Sequence, residues 1–80
     1  MTTSVKEENG IIEATYDSSN IASSKFEKET NTLYITFVKA NLVYKYENVE
    51  PSDYYYLQYA ESTGKAFIDK IKNKYTGEKI

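Results

Sequence analysis

The chain has 80 residues, with ten lysines, no arginine, twelve acidic side chains and a formal net charge of −2. That length suits one small domain, because two separate cores would each fall near the size at which burial barely offsets chain entropy. Cysteine and histidine are both absent, which excludes disulfides, iron–sulfur clusters, thiolate or imidazole metal sites, and any Ser-His or Cys-His nucleophile pair.

The opening segment, Met1-Thr2-Thr3-Ser4-Val5-Lys6-Glu7-Glu8, lacks the run of about 7 to 15 apolar residues of a signal peptide. No stretch approaches the roughly 20 apolar residues that cross a bilayer, so a cytoplasmic location without membrane contact is expected. Residues 1–10 are polar, end in Asn9-Gly10 and are expected to be disordered. A single domain is expected over residues 11–77, with 78–80 as a short tail. No internal period suggests a repeat array.

Ile11 to Tyr16 carries apolar residues without clean alternation and is a candidate edge strand, broken by Ser18-Ser19-Asn20. Ile21 to Glu27 is compatible with a short strand placing Ala22, Ser24 and Phe26 on one face, followed by the turn-prone Lys28-Glu29-Thr30-Asn31. The signal then sharpens. Thr32 to Val38 alternates at period two, with Leu33, Ile35 and Phe37 on one face and Thr32, Tyr34, Thr36 and Val38 on the other. After Lys39-Ala40-Asn41, where Asn41 tolerates a positive φ, Leu42 to Tyr46 returns as the antiparallel partner, with Leu42, Tyr44 and Tyr46 on one face. Pro51 marks a switch to helical period, and Asp53 suits the same helix end through the dipole. A first helix is expected from Pro51 to Ala60. A second, capped by Ser62 or Thr63 and ended by Gly77, would carry Phe67, Ile68, Ile71 and Tyr75 on one stripe. The expected fold is α+β: an antiparallel meander of three or four strands, then two short helices packed on one sheet face.

Ser18-Ser19-Asn20-Ile21-Ala22-Ser23, Leu33-Tyr34-Ile35-Thr36-Phe37, Tyr44-Lys45-Tyr46, Val49, Pro51, Tyr55 or Tyr56, Ala60-Glu61-Ser62-Thr63-Gly64-Lys65 and Phe67 to Ile71 occur in this order. In these motifs the chain resembles the KTSC domain family over about residues 18–75. The resemblance implies a short bacterial and phage module, found alone or at the C-terminus of some lysyl-tRNA synthetases, for which RNA binding has been suggested. Two positions depart from the family pattern, with Lys25 in place of a glycine before Phe26 and Ile68 in place of an asparagine. If the protein is phage-encoded, the expected location is the host cytoplasm.

Nine of the 80 residues are tyrosine. Tyr44 and Tyr46 project from one strand face, either as a stacking platform for unpaired bases or, with Leu42, as core packing beneath the helices. In the latter case Tyr34 and Lys45 point outward. At about 100° per residue Tyr54, Tyr55, Tyr56 and Tyr59 spread too widely for one core stripe, so some are exposed. Next to Glu50, Asp53 and Glu61 they form a poor phosphate surface but a good protein anchor. From Glu47 to Glu61 the segment charge is −4, whereas Ser62 to Ile80 holds five lysines against two acids. Lys65, Lys70, Lys72 and Lys74 flank the second helix's stripe, as phosphate contacts or as an ordinary solvated edge. Without arginine, sequence-specific DNA readout is not expected.

These features make a non-catalytic binding module the leading reading, with no cofactor and no metal. The first interaction class is a protein partner docked on Tyr54, Tyr55, Tyr56 and Tyr59 with Glu50 and Asp53. A phage or mobile-element accessory protein acting on a host protein would fit this class, an idea that rests on the family's distribution. The alternative is RNA or single-stranded nucleic acid held by Tyr34, Tyr44, Lys45, Tyr46, Lys65, Lys70, Lys72 and Lys74.

Overall fold

The fold was obtained as a computed structural model, and the structure describes residues 2–80. Six antiparallel strands lie side by side in chain order: β1 (Thr2–Glu8), β2 (Ile11–Tyr16), β3 (Ile21–Glu27), β4 (Thr32–Phe37), β5 (Val43–Tyr46) and β6 (Gly77–Lys79). Between β5 and β6 come helix α1 (Pro51–Tyr59) and helix α2 (Thr63–Phe67), the latter running into a π turn at Ile68–Lys72. The α+β class and the meander agree with the sequence reading, while the sheet is two strands larger than the upper expectation.

Both additional strands come from the termini. Thr2–Glu8, expected without order, pairs with β2 through a two-residue turn at Asn9 and Gly10, whose φ values are 54° and 78°. Two consecutive positive φ angles match the right-handed strand twist, which is why Asn-Gly favours a tight hairpin. Met1, the first residue of that expected segment, lies outside the described residues. At the other end the expected tail pairs with β5, Gly77 opposite Tyr46 and Lys79 opposite Tyr44. Gly77 therefore opens a strand and does not cap a helix.

One sheet face carries Ile12, Ala14, Phe26, Leu33, Ile35 and Tyr46, all buried beneath the helices with Tyr54, Leu57, Phe67 and Ile71. Ile12, Ala14 and Tyr16 do alternate inward, so β2 is an interior strand. A register shift between Ile21 and Ser23 lets both Ile21 and Ser24 turn inward despite their odd spacing. On the opposite face Lys6, Glu13, Lys25, Tyr34, Lys45 and Glu78 occupy one row across all six strands. Alternating charges opposite one another suit a solvated face.

Pro51 at the first turn starts α1, and the Ser62 hydroxyl caps α2 by accepting from the Lys65 N–H at 3.4 Å. The expected single second helix is altered at Ile68, because the Asn73 N–H reaches back five residues to the Ile68 carbonyl, at 3.3 Å. The added residue per turn rotates the stripe. Phe67 and Ile71 stay buried, but Ile68 is 44% exposed.

Candidate functional site

Tyrosines on α1 divide by helical angle. Tyr54 is fully buried, its ring stacked on Phe26 with centroids 4.7 Å apart. It is therefore a core residue and cannot serve the surface role expected of it. Burial also raises the phenol pKa of Tyr54 and of Tyr16, keeping both neutral. Tyr56 and Tyr59 are 52% and 77% exposed, and the half-buried Tyr55 ring lies nearly parallel to Tyr59 at 6.2 Å. These three rings line a concavity of about 750 Å³, together with Ala60, Glu61, Lys65, Ala66 and Asp69. The Lys70 ammonium sits 4.9 Å from the Tyr56 ring centroid, a cation–π distance.

Asp53 also leaves the expected interface. It is buried, and its Oδ2 accepts from the Tyr75 hydroxyl at 2.6 Å and from Lys74 Nζ at 2.8 Å. The Tyr75 hydroxyl in turn accepts from the Glu50 N–H at 3.0 Å. Burial would raise the Asp53 carboxyl, but the Lys74 and Tyr75 hydrogen bonds and the nearby ammonium groups outweigh it and hold the pKa below the ordinary value. This clasp fastens the start of α1 to the chain after the π turn. Glu50 contributes through its backbone, and its side chain is not part of the tyrosine-lined concavity.

The nucleic-acid set is not brought together. Tyr34 and Lys45 face outward, and Tyr34 lies under Lys25 at 5.7 Å with its hydroxyl donating to Glu27 at 3.5 Å. Lys45 pairs with Glu47 at 3.4 Å. Tyr44 and Tyr46 point to the opposite side. Tyr46 is core, edge-on to Phe67 at 5.9 Å, while half-buried Tyr44 packs edge-on against Phe37 at 5.5 Å. Lys74 is committed to Asp53 and Lys70 to Tyr56, Lys65 lines the α1–α2 concavity, and Lys72 borders a different cavity.

Ala66 and Asp69 join the tyrosine surface only because α2 packs against α1, whereas Ala60 is already next to Tyr59 at the end of α1. A periodicity plot of either helix alone does not contain that packing. Among the described residues no helix is long and apolar enough to cross a membrane, and no three acidic side chains cluster as a metal site would require.

The KTSC domain model matches residues 17–75. The fold is similar to the crystal structure of a KTSC domain protein from Yersinia pestis, with a TM-score of 0.79 and 27% sequence identity over 88% of this chain and 97% of that one. No curated protein matches. The chain belongs to the KTSC domain family.

Proposed function

We propose that this domain is a non-catalytic, cytoplasmic protein-binding module whose partner docks on the α1–α2 face. The observation that carries this reading is the exposure of Tyr56 and Tyr59 beside a concavity of about 750 Å³ between α1 and α2. Water-exposed tyrosine rings beside a groove are characteristic anchors, since each offers a large apolar area at small rotamer cost and a hydroxyl for the rim. Two carboxylates, Glu61 and Asp69, line the groove against one ammonium, Lys65. That balance suits a polypeptide presenting an apolar side chain next to a cationic one, with arginine able to stack on Tyr59 and pair with Glu61. An accessory role against a host protein is consistent with this reading.

The nucleic-acid alternative lacks a common surface, because its tyrosines and lysines lie on two sheet faces and several of its cations are already engaged. The test is affinity capture from bacterial lysate, with and without nuclease, using the wild-type chain and Tyr56→Ala/Tyr59→Ala. Retention of a stoichiometric protein that survives nuclease and falls about tenfold or more in the double variant is expected, in line with two anchor truncations. Recovery of RNA, with protein lost on nuclease treatment, would overturn the reading.

A further inference from the structure

A second cavity, separate from the tyrosine groove, opens at the far end of the β4–β5 hairpin. It measures about 420 Å³ and is lined by Phe37, Leu42, Tyr44, Tyr46 and Phe67, with Asn20, Lys39 and Lys72 among its polar groups. Phe37 is the hub of the aromatic wall, meeting Tyr44 and Phe67 edge-on, each with centroids 5.5 Å apart. Lys39 belongs to a tight turn in which Ala40 and Asn41 both take positive φ, of 59° and 50°. Lys72 belongs to the π turn, so two independently built elements each bring a lysine to the same cavity.

The charge is one-sided. Among the described residues no carboxylate lines this cavity, and neither lysine forms an ion pair, although four other lysines do. An apolar, ring-walled space of a few hundred cubic ångströms with a few convergent polar groups has the build of a small-ligand site. Two uncompensated ammonium groups beside it select for negative charge, and the edge-on rings leave aromatic surface against which a flat group can pack.

We propose that this cavity binds a small organic anion with a flat apolar body, an arylacetate, whose ring packs against Phe37, Tyr44 and Phe67 while its carboxylate meets Lys39 and Lys72. The site shares no lining residue with the α1–α2 groove, so either proposal can fail without the other. The matched probes are indole-3-acetate and tryptamine, which carry the same ring with opposite charge, together with adenosine monophosphate. Each is titrated into the isotope-labelled full chain and followed by amide chemical shifts. Indole-3-acetate is expected to give saturable shifts confined to the amides around Lys39, Leu42, Tyr44, Phe67 and Lys72, with tryptamine about tenfold weaker. Lys39→Glu/Lys72→Glu alters two exposed side chains, keeps the spectrum of the folded domain, and is expected to weaken indole-3-acetate about tenfold or more. Equal binding of tryptamine, an unchanged affinity in the double variant, or no localised shift would overturn the proposal. Tighter binding of adenosine monophosphate than of indole-3-acetate would overturn the carboxylate assignment in favour of a nucleotide.

Discussion

Asp53 shows how a residue that reads as a surface acid from its position becomes structural. An acid in the first turn of a helix is ordinarily a solvated dipole partner, and nothing local to Asp53 announces that Tyr75 and Lys74, more than twenty residues later, close over it. Because its folded pKa is lowered, the stabilisation is complete above the unfolded value of about 4 and is lost as pH falls through the folded value. Asp53→Asn is therefore expected to cost about 1 to 2 kcal/mol at neutral pH, and to flatten the loss of stability between about pH 5 and pH 2. Urea melts across that range check it, and parallel wild-type and variant curves would contradict it. Tyr54 makes the complementary point. Its ring supplies core packing, while its buried hydroxyl lies next to the 2.7 Å Tyr16–Ser24 hydrogen bond and makes no well-aligned hydrogen bond of its own. Tyr54→Phe should hold stability within about 1 kcal/mol or raise it, whereas Tyr54→Ala should lose about 3 to 5 kcal/mol through the cavity it leaves. A large loss in the phenylalanine variant by thermal or urea melting would show that the hydroxyl, and not the ring, holds the site.

At the level of elements, legibility followed the strength of local periodicity. β4 alternates Leu33, Ile35 and Phe37 over a polar opposite face, and α1 starts at a proline, so both were readable within a residue. β1 was not, since its side chains are nearly all exposed and it presents no apolar face to detect. Its evidence was the Asn9-Gly10 turn, which signals a hairpin even when only one of the two flanking strands is apolar. The π turn was likewise hidden, because a single inserted residue in the helical ladder leaves composition unchanged and shows only as the displacement of Ile68 from the stripe. Gly77 reads as a helix stop in the sequence, but its role is in β6. A Cβ there would lie 2.6 Å from the Tyr46 ring, so the residue is small because β6 passes directly over a core aromatic. Gly77→Ala is expected to cost about 1 to 3 kcal/mol and to loosen β6 first. Hydrogen exchange at the Ile80 amide, which donates to the Val43 carbonyl at 3.0 Å, reads this directly. Unchanged protection there, with unchanged global stability, would contradict the close approach.

Over the whole molecule, the six-stranded sheet separates two environments. Its outer face carries a charge-compensated polar row, while the helices cover the other face, with the tyrosine groove between them and the Phe37 cavity beside them. The sequence was enough to say that some tyrosine on α1 must be exposed, because four of them cannot share one stripe. Which ones, and what surrounds them, depended on the packing of α2 against α1, a tertiary fact. The lysines that looked like one basic edge are distributed among an ion pair, a cation–π contact and two different cavities, so charge counted along the chain overstated the patch in space.

The central claim, a protein partner on the α1–α2 face, is tested most directly by placing a photo-crosslinking phenylalanine at position 59 and, as a control, at position 36 on the outer sheet face, in living cells. Neither site is part of the buried core, so both variants fold. A discrete protein adduct from position 59, absent from position 36 and insensitive to nuclease, is the predicted result. Adducts to nucleic acid from position 59, or equal adducts from both positions, would contradict the account.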